Sequence, residues 1–168
     1  MKKFLLLAVL GVVFVPSASV FAQEQAPSGS VDPVARCEAM VETSKERYDA
    51  NQTRNADNAS RISATIEKLE AFITKANELG ADTSVLSSDM QTLSTYMNEL
   101  EADYQAVQDN LSVMMQSDCE TMTAEEYRSQ VTNAKSLFEA LRANVTAIRD
   151  LRTTIKTHID EILSTIKE

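Results

Sequence analysis

The feature that most restricts the fold of this chain is a long stretch with almost no helix-breaking residues. From Val34 to Glu168 there is no proline and a single glycine, Gly80. Strands joined by tight turns need proline and glycine at those turns far more often than this. Apolar residues instead recur at spacings of three and four, which is the period of an amphipathic helix. We therefore predict an all-α fold.

Start and stop signals divide this stretch into three helices. Asp32 can cap the first helix, with Pro33 at its first position. Gly80 is a natural left-handed stop, and Thr123 with Glu126 matches a capping box that starts the last helix. The resulting prediction is three helices, at about residues 32–79, 84–116 and 124–167.

Short connections between long helices make neighbouring helices antiparallel. The predicted architecture is an elongated three-helix bundle or coiled coil, up-down-up, in which residues 32–168 form one domain. At 1.5 Å per residue it would be roughly 60–70 Å long. Three methionines, Met90, Met97 and Met114, fall on the apolar seam of the second helix. Methionine-rich surfaces can be adaptable binding grooves, but at this spacing we interpret them as core residues.

Cys37 and Cys119 are the only cysteines of the chain. In an exported protein two cysteines usually form a disulfide. The up-down-up order places both at the same end of the bundle, which favours a bridge within one chain over a bridge between two chains. Two free thiols or a metal pair would be the alternative, but a metal site needs more ligands and His158 is the only histidine.

The first residues, MKKFLLLAVLGVVFVPSASVFAQEQ, have the three parts of a secretory signal peptide. A basic start and an apolar run are followed by VFA, which resembles a cleavage site. We predict a signal peptide at residues 1–22, a flexible leader at 23–31, and export to the periplasm, the cell envelope or the medium. The apolar run is shorter than the roughly 20 residues of a spanning helix, so no membrane insertion is expected after cleavage.

Asparagine replaces apolar residues in the middle of the first helix. The predicted apolar seam of this helix begins at Val34 and ends at Leu79, and Asn51, Asn55 and Asn58 all fall on it. One interpretation is a polar waist in which buried amides find partners on the other helices or water. The other is a rotated helix, in which Ala56 and Ala59 face the core and the asparagines are exposed. Either way, we expect faster hydrogen exchange in residues 50–60 than in residues 62–79.

Four asparagines begin N-glycosylation sequons: Asn51, Asn58, Asn110 and Asn144. The sequence DANQT also has an acidic residue two places before Asn51, which favours bacterial oligosaccharyl transfer. However, Asn51 and Asn58 lie on the predicted seam, where a glycan could not pack. We therefore favour the polar waist over a glycosylated surface.

No arrangement of catalytic residues is recognisable. A catalytic triad would have to be built on His158, and residue 155, three places before it, is Ile155 rather than the Glu of a dinuclear carboxylate site. The chain has no glycine-rich phosphate loop. We predict no enzyme activity, no cofactor and no metal, and we interpret His158 as partly exposed or locally bonded.

The charge of the chain argues against two classes of partner. Without Lys2 and Lys3, 14 basic residues remain against 25 acidic ones. A net charge this negative repels nucleic acid and anionic lipid surfaces. We therefore predict a protein partner, without identifying it, and a monomer or small homo-oligomer.

Several segments resemble an uncharacterised family of exported, signal-peptide-bearing helical proteins from candidate-phylum bacteria. They are ARCE at the start of a long helix, LEAFITKANELGADTSVLSSDMQTL across the hairpin, and DY followed by a second cysteine. The resemblance covers nearly all of residues 34–166. It implies export, the hairpin and the cysteine pair, and it transfers no functional residue. The acidic composition and the asparagines in mid-helix depart from the family.

The functional prediction is a non-enzymatic exported protein that acts as a structural spacer or a protein-interaction module. The alternative is a periplasmic holdase-type chaperone that binds unfolded clients. Such chaperones usually need a cavity or an oligomer, whereas a spacer or docking protein needs only exposed helix faces. An enzyme or metal protein is the third, least favoured possibility.

Overall fold

The structure, a computed structural model, describes residues 32–166. They form three helices: α1, Pro33–Glu78; α2, Ser84–Met115; and α3, Ala124–Ile166. The predicted three-helix bundle with one disulfide is confirmed, and the described helix ends agree with the predicted ones to within one residue. The signal peptide at 1–22 and the leader at 23–31 lie outside the described residues.

The predicted helix starts are present. The backbone N–H of Val34 donates to a carboxylate oxygen of Asp32 at 3.1 Å. At the start of α3, the Thr123 N–H donates to the Glu126 carboxylate at 2.7 Å, and the Glu126 N–H donates to the Thr123 hydroxyl at 3.2 Å. This reciprocal pair is a capping box, which satisfies two backbone donors that the helix cannot pair internally.

The described residues fall into two compact units, each with a piece of every helix. The turn unit contains residues 57–100 and 143–166, and therefore the turn between α1 and α2. The disulfide unit contains residues 32–56 and 101–142, and therefore both cysteines.

The core of the turn unit repeats every seven residues on each helix. Leu69 and Leu86 are completely buried, at 0% exposure. The seven-residue repeat follows from the apolar seam that each helix turns towards its neighbours. Its members are Ile62, Leu69 and Ala76 on α1, Leu86, Leu93 and Leu100 on α2, and Ile148, Ile155 and Ile162 on α3.

The core of the disulfide unit mixes apolar and polar side chains. Its buried apolar residues include Cys37, Met40, Tyr104, Val107, Leu111, Met114, Ala134 and Leu141. Ser44 and Asn51 are buried among them. Of the three seam methionines, Met114 is buried as predicted, whereas Met90 and Met97 are half-buried.

Two details of the predicted α1 seam are wrong. Val34 and Leu79, its first and last members, are 36% and 54% exposed. The apolar period continues to the ends of the helix, but a terminal residue has fewer neighbours to pack against. The rotated-helix alternative is also wrong, because Ala56 and Ala59 are both exposed.

Within residues 32–166, none of the three helices combines the length and the apolar character that crossing a bilayer would require.

Candidate protein-binding groove

The turn unit has an open groove with a volume of about 330 Å³ at the connection between α1 and α2. The end of α1, the connecting turn and the start of α2 form one wall, and the last turns of α3 form the other. Its apolar lining consists mainly of Leu79, Val85, Ile162 and Ile166. Leu79 and Val85 are 54% and 55% exposed, so these two side chains of the lining face solvent, whereas Ile162 belongs to the buried core.

Gly80 builds the wall at the end of α1. Its φ of +80° lies in the left-handed region, which costs a residue with a Cβ more than it costs glycine. The Ala81 N–H donates to the Ala76 carbonyl at 3.1 Å, and the Gly80 N–H donates to the Asn77 carbonyl at 2.9 Å. These two bonds form a Schellman motif, which ends α1 with Leu79 at the groove.

Two further hydrogen bonds fix the start of α2. The buried Thr83 hydroxyl donates to the Asn77 side-chain oxygen at 2.8 Å and so ties the turn to α1. The Ser84 N–H donates to the Asp82 carboxylate at 2.9 Å. Hydrogen bonds from the backbone and side chain of Ser84 hold the pKa of Asp82 below its ordinary value. Asp82 is therefore an ionised carboxylate on the groove at neutral pH.

His158 lies on the α3 wall and is bonded to α2. Its Nδ1 is 2.5 Å from a carboxylate oxygen of Asp89. The His158 and Asp89 side chains are 24% and 14% exposed, so the pair is mostly shielded from solvent. Asp89 orients the ring, and the contact joins α2 to α3 behind the groove.

An Asp–His pair is also the orienting half of a hydrolase triad, in which the second ring nitrogen meets a nucleophile. Within the described residues the His158 ring makes no second hydrogen bond. In the same part of the chain no three His, Cys, Asp or Glu side chains come together as they would around a metal ion. What the structure shows of the pair is a contact between α2 and α3, and the absence of an enzyme activity stays a prediction.

The predicted cysteine pair is confirmed. Cys37 and Cys119 form a disulfide with a Cα–Cα distance of 5.4 Å, and it joins the first turns of α1 to the connection between α2 and α3. Cys37 is 2% exposed. This bond lies in the disulfide unit, whereas the groove lies in the turn unit.

The three seam asparagines have different environments. Asn51 is 5% exposed, and its amide nitrogen donates to the Tyr104 carbonyl of α2 at 3.2 Å. Asn55 and Asn58 are half-buried. The polar-waist interpretation therefore holds for Asn51, whose buried amide has the partner on another helix that it requires.

The sequons fall on helices in positions that restrict glycan attachment. The nitrogen of Asn51 that would carry a sugar is buried and hydrogen-bonded. Asn58, Asn110 and Asn144 are half-buried. The Asn110 side-chain oxygen is itself buried, and it finds no hydrogen-bond partner within residues 32–166. A surface-glycoprotein interpretation is therefore not favoured.

The middle of α1 is expected to open more readily than its second half. No side chain between residues 52 and 61 is buried, whereas Ile62, Leu69 and Ala76 are. Because local opening is easiest where few apolar contacts hold the backbone, amides of residues 50–60 should exchange faster with solvent than those of residues 62–79. Residue-resolved hydrogen exchange monitored by NMR measures this, and equal protection in the two segments would contradict it.

The sequence reasoning missed two parts of this site. The Asp89–His158 contact depends on how α2 and α3 are aligned along their lengths. The spacing of apolar residues within a single helix does not determine that alignment. The groove depends on which apolar residues at helix ends find a neighbour. Its one visible signal was Val85, an apolar residue outside the α2 seam next to the predicted turn.

No protein-family model, curated protein or solved structure matches the chain. The resemblance to exported helical proteins of candidate-phylum bacteria therefore stays a prediction.

Proposed function

We propose that this protein is an exported helical module that binds another protein through the groove of the turn unit. The observation that carries the proposal is the pair of solvent-facing side chains Leu79 and Val85, 54% and 55% exposed. They line one concave surface together with Ile162 and Ile166. Exposed apolar side chains grouped around a concavity are typical of interaction sites, whereas single exposed ones are ordinary.

Two further observations support an exported role. The disulfide suits an oxidising compartment, since cytosolic proteins rarely keep one. The apolar residues at the start of the chain are typical of a secretory signal. The periplasm, the cell envelope and the medium are all compatible with this proposal.

The experiment removes the apolar lining without disturbing the fold. In the double variant Leu79→Gln/Val85→Thr, two exposed apolar side chains become polar. The matched control, Val34→Thr/Val113→Thr, changes two exposed valines of the disulfide unit, which are 36% and 58% exposed. Tagged proteins are expressed in the native cells, and proteins that co-purify are identified by mass spectrometry and then purified for direct binding.

We expect a partner that binds the wild type and the control, and whose affinity for the groove variant is at least about tenfold lower. A tenfold loss corresponds to about 1.4 kcal/mol, which is a reasonable value for two apolar contacts. Equal binding by all three proteins would contradict the groove as the interaction site.

The holdase alternative predicts a different result for the same wild-type and variant proteins. A holdase suppresses the aggregation of many unrelated unfolded proteins, whereas a docking module retains a specific partner. Light scattering of an aggregating client, with and without this protein, separates the two. Suppression that is unaffected by Leu79→Gln/Val85→Thr would favour the chaperone and not the groove.

A further inference from the structure

The negative charge of this protein is concentrated in one segment. Residues 76–127, which comprise the last three residues of α1, the whole of α2, the first four residues of α3 and the two connections between them, contain eleven Asp and Glu residues and no Lys or Arg. The remainder of the chain contains the other 14 acidic residues and all 16 basic ones. The net negative charge of the whole chain therefore originates in this segment.

The basic residues elsewhere follow a regular pattern. α1 and α3 each contain a series of five basic residues spaced seven residues apart. In the turn unit those of α1 each precede a buried residue, as Lys68 precedes Leu69. The two series are Arg47, Arg54, Arg61, Lys68 and Lys75 on α1, and Arg128, Lys135, Arg142, Arg149 and Lys156 on α3. Together with Arg36, Lys45 and Arg152 they nearly balance the carboxylates of α1 and α3, whereas α2 contains no lysine or arginine.

The groove lies where this anionic segment begins. Asp82 and Glu161 both line it, and neither forms an ion pair within the described residues. The nearby Lys75 already pairs with Glu78 at 2.6 Å. His158, the other basic group of the groove, is held by Asp89. Among residues 32–166, the groove therefore presents an apolar floor together with two carboxylates that form no ion pair.

We infer that the occupant of this groove is a cationic protein segment in which apolar side chains are flanked by lysine or arginine. This inference rests on the proposed function and specifies the chemistry of its partner. The apolar side chains would contact Leu79, Val85 and Ile162, and the flanking cations would pair with Asp82 and Glu161. The field of residues 76–127 adds a longer-range attraction that speeds the encounter of oppositely charged partners.

The test uses three synthetic peptides of equal length. The first contains two adjacent leucines flanked on each side by two lysines. In the second the lysines are replaced by glutamates, and in the third the leucines are replaced by serines. Binding is followed by ¹H–¹⁵N NMR through the amide signal of Gly80, which lies in the groove and is the only glycine among the described residues.

We expect the leucine–lysine peptide to shift the Gly80 signal and to bind at least about tenfold more tightly than the leucine–glutamate peptide at 50 mM salt. Raising the salt to 500 mM should reduce this ratio to about threefold or less, because exposed charges are then screened over a few ångströms. The variant Asp82→Asn/Glu161→Gln should reduce the ratio similarly at low salt. Asparagine retains a side-chain oxygen that can accept the Ser84 N–H.

The other outcomes have distinct meanings. Equal affinity of the leucine–lysine and leucine–glutamate peptides would overturn the cationic partner and leave the groove intact. An equal Gly80 shift with the serine–lysine peptide would also overturn the inference, since the apolar floor would then contribute nothing. If no peptide shifts Gly80, the groove fails as a binding site, and the proposed function fails with it.

Discussion

Replacing both cysteines by alanine, in Cys37→Ala/Cys119→Ala, is expected to lower the free energy of unfolding by about 4 kcal/mol. The bond joins residues 82 apart in sequence. A cross-link over a loop of this length removes a large part of the conformational entropy of the unfolded chain, which is worth roughly 4 kcal/mol in the chain-entropy model. Urea denaturation followed by circular dichroism measures the change.

The wild-type protein in excess reductant is the matched control, because it loses the bond and keeps both sulfur atoms. Its stability should fall by nearly the same amount as that of the double variant. A loss below about 1 kcal/mol in both proteins would show that the bond constrains the unfolded chain far less than its loop length implies.

The second large effect is expected for Leu86→Ala. Leu86 is completely buried in the first turn of α2. Truncating a buried leucine removes its apolar surface from the core and leaves a cavity, which together cost about 3 kcal/mol. Thermal unfolding of the oxidised protein, followed by circular dichroism, should show a clear decrease in Tm.

The neighbouring residue provides the control. Val85 is adjacent in sequence and on the same helix, but it is 55% exposed. Val85→Ala should change the free energy of unfolding by no more than about 0.5 kcal/mol, because surface substitutions away from special features have small effects. Similar losses for both variants would mean that the packing of this turn differs from the arrangement described above.

The fold was predictable because its signals are local. The absence of glycine and proline after Val34, apart from Gly80, excluded strands, and the capping residues located the helix ends. The cysteine pair could be predicted from topology, since antiparallel helices bring the start of the first and the end of the second together. Each of these inferences needs only the sequence of a helix and the length of its connection.

The candidate site was predictable only in part, because it depends on contacts between distant segments. His158 and Asp89 are 69 residues apart, and their contact is set by how α2 and α3 slide along one another. Asn51 could be assigned to the seam, but its partner could not, since that partner is the backbone carbonyl of Tyr104. Seam patterns also do not show where packing ends, which is why Leu79 was expected to be buried.

The concentration of negative charge in residues 76–127 was visible in the sequence and was missed. A total charge describes solubility and general attraction, but it conceals how charge is divided between elements. Counting lysine and arginine separately for each helix would have singled out α2, which has neither. The relation of that asymmetry to the groove depends on the fold, because the groove is formed where α1, α2 and α3 come together at one end of the segment.

The disulfide also determines how this protein responds to tension. When the chain is pulled from both ends, the force passes through the sulfur–sulfur bond and bypasses the residues between Cys37 and Cys119. At roughly 3.5 Å per extended residue, the 82-residue separation corresponds to about 290 Å of chain that cannot be drawn out while the bond is intact. The whole of α2 and most of α1 therefore lie in a closed covalent ring that cannot be extended while the bond is intact, whereas α3 lies outside the ring and can be drawn out.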